Sequence, residues 1–129
     1  MTTRGIRNNN PGNIRHGAGW QGMADEQPDP AFITFKTPEY GIRAIARIML
    51  TYAKNGIVNV RGIISRWAPK NENNTDAYIA SVCAALKVNP DQYIDLTVEM
   101  PALVKAIIRQ ENGLQPYSDE TIEAGIALV

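Results

Sequence analysis

Cysteine and histidine are nearly missing from this sequence, and their scarcity removes whole classes of chemistry. Cys83 is the single cysteine and His16 the single histidine among 129 residues. One cysteine excludes an intrachain disulfide scaffold and a cysteine-based zinc site. One histidine without clustered ligands leaves no His pair for metal or acid–base work, and nothing in the sequence implies a metal or organic cofactor. Net charge is absent too, because thirteen basic residues balance thirteen acidic ones. Without a global basic field, nucleic acid is not an expected partner. Long apolar runs are also lacking. The opening MTTRGIRNNNPGN has no apolar h-region and no stretch approaches bilayer length, so neither a signal peptide nor a membrane span is expected.

What remains is ordinary globular material. Hydrophobic residues make up 44% and charged residues 20% of a 14.2 kDa chain, which suits one domain over 1–129 with its own core. The balanced charge hides an asymmetry: residues 1–70 carry ten basic against four acidic side chains, and residues 71–129 carry three against nine. Residues 4–31 are rich in Gly, Asn and Pro and read as irregular structure. That length is unusual for a loop inside a small domain and marks the segment as a functional surface. FITFK at 32–36 is a short β-prone piece, at most a minor β element.

Residues 37–127 read as helical, which makes the fold mainly α. Thr37 and Pro38 supply a cap and a first helical residue, with Ile45, Ile48, Met49 and Tyr52 recurring at helical spacing until Gly56. VRGIISRW forms a second helix, ended by Pro69. Asn73 or Asn74 caps a third, whose apolar face is Tyr78, Ile79, Val82, Cys83 and Leu86; Cys83 is thereby a small core residue. Pro101 is expected to open the next helix, PALVKAIIRQEN, stopped by Gly113. Ser118 caps a last one through DETIEAGIAL.

One acid breaks the local pattern. Val104, Ile108 and Glu111 lie at i, i+4 and i+7, so Glu111 falls on the apolar stripe of its helix. It also sits in the last turn, where the helix dipole opposes a negative charge. Both features favour the neutral carboxylic acid that a general acid must be. The alternative is a Glu111 that frays into solvent beside Gly113. Other acids read as surface groups: Asp25, Glu26 and Asp29 in a polar loop, Glu39 in a helix first turn, and Glu72 and Asp76 around the start of the third helix.

LVKAIIRQENGLQPYS (103–118) resembles the catalytic-helix segment of lytic transglycosylases, an "AII-x-Q-E-S-G-F-x-P" run carrying a single acid. The resemblance places that acid on Glu111. It departs at Asn112, where the family usually has a Ser that orients the acid, so Asn112 either substitutes through its amide or the role is lost; Asn112 is also an expected substrate contact. ENNTDAYIASV (72–82) resembles the later "E-T-x-x-Y-V-x-x-V" segment, whose tyrosine lies against the acid and falls here on Tyr78. A core aromatic with a satisfied hydroxyl is the other reading of Tyr78. RNNNPGNIRHGAGWQG (7–22) is similar to the "N-N-L-F-G-I-K…W-x-G" cleft region of bacterial glucosaminidases. That similarity implies saccharide contacts from Asn9, Asn10, Asn13 and Arg15 and a stacking face on Trp20. An Asn-rich loop that bonds its own backbone is the competing reading.

The segments occur in an unfamiliar order, with the acid helix last. The resemblance therefore implies a lysozyme-like domain that is circularly permuted, which compact domains tolerate when their termini lie close together. The whole chain also resembles a group of phage and prophage proteins described as virion structural proteins. Together these imply a phage-associated enzyme cleaving peptidoglycan glycan strands, made in the bacterial cytoplasm and carried by the virion or delivered to the periplasm by other factors. Other virion proteins are then expected partners. Glu72 or Asp76 would be the second acid if the reaction were hydrolysis. A non-catalytic virion or cell-wall-binding module with the same cleft is the competing expectation.

Overall fold

Six helices occupy the described residues: α1 Arg4–Arg7, α2 Pro38–Lys54, α3 Val60–Trp67, α4 Thr75–Leu86, α5 Leu96–Asn112 and α6 Asp119–Ala127. The computed structural model describes residues 2–71 and 73–129. The fold is mainly α, and among these residues extended pairing is limited to two isolated antiparallel bridges, Arg15 with Phe32 and Met23 with Phe35. FITFK therefore supplies two bridging residues and no full strand.

The core follows from helical periodicity. On α5, Leu103, Val104, Ile107 and Ile108 are fully buried, and they share one core with Ile42, Ile45 and Met49 of α2, Ile63 and Ile64 of α3, and Val82 of α4. Helix α6 lies along α2, α4 packs on both α3 and α5, and the single turn of α1 sits against α5. Cys83 is buried in this core, and burial pushes its thiol above its ordinary value, which keeps it an inert packing group.

End signals explain most boundaries. Asn59, Asn74 and Ser118 each cap a helix, their side chains accepting from the N–H of Gly62, Ala77 and Thr121. Gly113 ends α5 in the left-handed conformation, at φ 76°. The expected start of that helix needs correction. It opens at Leu96, with the Asp95 carboxylate accepting from Thr97 N at 2.9 Å, so Pro101 lies inside it. A proline there removes the bond to the carbonyl four residues earlier. That carbonyl belongs to Thr97, which is exposed, so water can take the missing place.

The segment before α2 is ordered by its own side chains. Asn9 and Asn13 both adopt left-handed backbone, φ 52°, a conformation asparagine tolerates better than most residues. A second small cluster, Ile14, Ile33, Phe35 and Ala44, packs this segment onto α2 with Trp20 and Met23 at its margin. Gly41 allows the approach: a β-carbon there would run into the Asn9 carbonyl oxygen, and its neighbour Pro11 lies close by. In an open helix Gly→Ala stabilises by about 1 kcal/mol. Gly41→Ala is expected to do the reverse, destabilising by about 2 kcal/mol in a denaturant titration, because backbone must move.

Asp29 is the other fastener, and its expected solvated position needs correction. Its side chain is only 7% exposed. Both carboxylate oxygens take bonds from Arg4 at 2.6 Å, Asn8 Nδ2 donates at 2.9 Å, and the N–H groups of Ala31 and Phe32 donate at 2.9 and 3.0 Å. The Arg4 guanidinium first, then these donors, hold the carboxyl well below the usual carboxylate range against the opposing effect of burial. Its folded value is depressed, so its stabilisation is complete above the unfolded carboxyl value of about 4 and fades as pH falls further. Thermal melts between neutral and strongly acid pH are expected to show this loss. Asp29→Asn is expected to melt lower at pH 7, by about 5 °C or more, and to show a shallower acid decline.

Candidate functional site

The α3–α4 corner builds one wall of the site. Pro69 ends α3, the Thr75 hydroxyl donates to the Ala68 carbonyl across the turn, and Asn74 starts α4. This closes the corner so that Trp67, the last residue of α3, stands beside Tyr78 in the first turns of α4. Trp67 Nε1 donates to the Tyr78 hydroxyl at 3.0 Å. Helix α5 then brings Glu111, half-buried in its last turn, to the same point.

Three donors converge on the Glu111 carboxylate. Oε2 accepts from the Tyr78 hydroxyl at 2.9 Å and, more weakly, from Trp67 Nε1 at 3.3 Å. Oε1 accepts from Asn13 Nδ2 at 3.1 Å. Tyr78 is almost fully buried, at 3% exposure. Burial first, and the adjacent Glu111 charge second, raise its hydroxyl far above the ordinary tyrosine value, so it remains a proton donor at any physiological pH. The direct contact between Tyr78 and Glu111 spans 33 residues of sequence.

Glu111 opens onto a cleft of about 410 Å³ whose walls include Asn13, Arg15, Phe32, Arg66, Trp67 and Asn73. Glu111 is the single carboxylate among the described residues lining it. Asp76 is largely exposed, lies 3.8 Å from Lys70 and is not among the residues lining the cleft. Glu72, the other candidate second acid, lies outside the described residues. His16 Nε2 contacts the Asp29 carbonyl oxygen at 2.8 Å, a local loop bond.

The structure thus gathers Glu111, Tyr78, Asn13 and Arg15, and it places the other expected sugar-binding residues elsewhere. Asn10 is fully buried: its amide donates to the carbonyls of Ile14 and Ile33, and its oxygen accepts from Ile14 N, all at 2.9 Å. Asn9 donates to the Phe35 carbonyl at 3.1 Å. Asn112 donates to the Pro11 and Ile108 carbonyls at 2.8 and 3.0 Å and accepts from the Thr3 hydroxyl at 2.8 Å. These amides are engaged by the protein itself, which gives the buried Asn10 and Asn112 a bracing role in this structure, while half-buried Asn9 donates through its Nδ2 alone. Asn112 does not bond the acid; it fastens the end of α5 to the loop that carries Asn13. Trp20 packs beside Ile14 and Phe35 and is not among the residues lining the cleft.

Trp67, Arg66 and Phe32 were not legible as site residues. Periodicity assigns Trp67 to an apolar helix face and says nothing of its N–H. The usable signal was chemical, since a packed tryptophan N–H needs an acceptor and a helix end beside Pro69 leaves it free to reach one.

No helix of the described residues is long and apolar enough to cross a membrane. No family profile matches the chain. It is 45% identical over 127 residues to Protein P5 of Pseudoalteromonas phage PM2, an alignment spanning 95% of this chain and 79% of that protein. Identity at that level over nearly the whole chain places this protein in the family of phage PM2 Protein P5.

Proposed function

We propose that this chain is a virion-associated phage domain that cleaves the glycan backbone of peptidoglycan by a single-acid, lytic-transglycosylase-type reaction on a permuted lysozyme-like arrangement. The observation that carries the reading is one half-buried carboxylate, Glu111, held from behind by Tyr78 and Trp67 at the edge of a cleft with no second described carboxylate. Oε2 has two donors and Oε1 has one, so Oε1 keeps an acceptor position for a proton.

Protonated Glu111 gives its proton to the glycosidic oxygen as the bond from that oxygen to C1 of the muramyl unit breaks. The leaving sugar departs as an alcohol. The muramyl 6-hydroxyl oxygen then bonds to C1 and its proton returns to Glu111, leaving an anhydro sugar and consuming no water. One acid serves both halves, whereas hydrolysis ordinarily uses two carboxylates. Tyr78, Trp67 and Asn13 act as positioning residues, because they touch the acid and hold its plane. The test is product mass on purified peptidoglycan. Anhydro-muropeptides support the reading, and reducing-end products would point to hydrolysis with a second acid.

A second reading has its own observation. The serine that orients the acid in the resembling enzymes is Asn112 here, and Asn112 braces the loop without touching Glu111. A non-catalytic virion or wall-binding module would keep the cleft and need no orienting group. Sedimentation with peptidoglycan but no released fragments would favour it.

A further inference from the structure

We infer that Arg15 and Arg66 make this cleft selective for glycan strands bearing carboxylate groups over neutral strands of the same backbone. The inference rests on the glycan reading of the cleft and adds the chemistry by which one polymer is chosen.

Arg15 and Arg66 enter the cleft from different elements, Arg15 from the loop before α2 and Arg66 from the end of α3. Both are exposed, and among the described residues neither forms an ion pair. Against these two guanidinium groups stands the one described acid in the cleft, Glu111, which Tyr78, Trp67 and Asn13 already bond. The cleft therefore offers more positive than negative charge, in a molecule whose total charge is zero.

Arg15 is also placed in advance. Its backbone bridges Phe32, its guanidinium carbon lies 4.9 Å from the centre of the Phe32 ring, and Arg4 lies 4.6 Å from the same ring while gripping Asp29. A stacked guanidinium loses less freedom on binding and keeps its edge N–H groups for a carboxylate. A neutral N-acetylglucosamine polymer offers hydroxyls and acetamides but no anion. A strand with muramyl units carries carboxylates on its lactyl or peptide arms, which a guanidinium pairs with strongly.

The experiment compares two tetrasaccharides of equal length by calorimetry: chitotetraose, and alternating N-acetylglucosamine and N-acetylmuramic acid with free lactyl carboxylates. A Glu111→Gln background prevents turnover. The muramyl tetrasaccharide is expected to bind about tenfold more tightly, and the gap to narrow as salt screens the pairs. Arg15→Gln with Arg66→Gln is expected to bring the two affinities within about twofold, through weaker muramyl binding. Arg47→Gln, on the exposed side of α2, should leave the gap intact. Equal affinities in the parent would overturn charge selection while leaving a glycan cleft. A gap that survives in the double variant would overturn the assignment to these arginines. Binding of neither sugar would overturn the glycan reading, and this inference with it.

Discussion

Glu111→Gln is expected to release no muropeptides above background from purified peptidoglycan, a loss of about a thousandfold, while melting close to the parent. The size follows from the loss of the one group that can give and take back the proton. Fold is retained because the substitution keeps shape and keeps one oxygen for the Tyr78 hydroxyl. The new amide N–H group would meet Asn13 Nδ2, donor against donor. Asn13 can relieve this, since its own Oδ1 is buried without a partner and the amide can turn over to present it. Turbidity loss, product mass and a thermal melt read the three quantities together. Anhydro products from the parent and none from the variant would fix Glu111 as the acid. Undiminished release by the variant would remove Glu111 from the chemistry. Silence from both proteins, with wall sedimentation intact, would leave a binding module.

The helices were more legible than the loop, for a physical reason. VRGIISRW predicts α3 to the residue, and the choice of Asn73 or Asn74 as cap brackets the start of α4, which Asn74 takes, because capping and periodicity act within a few positions. Pro101 misled because proline is favoured at a helix start, while Asp95 and the burial of Met100 extend the helix five residues before it. The Asn8–Asn10 run was ambiguous by nature. A free amide suits a sugar hydroxyl and a loop carbonyl equally, and only contacts with Ile33, Thr34 and Phe35 decide between them. Within the site, the stripe position of Glu111 was visible from spacing. Its partners Tyr78 and Asn13 are separated from it by 33 and 98 residues, beyond the reach of periodicity. Resemblance brought those residues into view; the roles of Trp67 and Arg66 came only from three-dimensional contact.

Asn10→Ala is the stability counterpart, with an expected loss of about 4 kcal/mol. The wild-type amide is fully buried and satisfies the carbonyls of Ile14 and Ile33 and the N–H of Ile14. Its removal leaves polar backbone without water access, at about 1–3 kcal/mol for each group so stranded. The Ile33 N–H still bonds the Ile14 carbonyl at 3.0 Å, which limits the damage to fewer than three groups. For a chain of this size the loss corresponds to a fall of about 15 °C in Tm. Had Asn10 faced sugar, Asn10→Ala would instead leave Tm unchanged and weaken saccharide binding alone. The structure also gives the stability loss a functional consequence. Asn10 fixes the turn that carries Asn13 to Glu111 and Arg15 to the cleft, so partial unfolding of this segment would loosen the site first. Hydrogen exchange should then accelerate across residues 8–16 and 32–36 before it does in α5, whose core positions remain packed against α2 and α4.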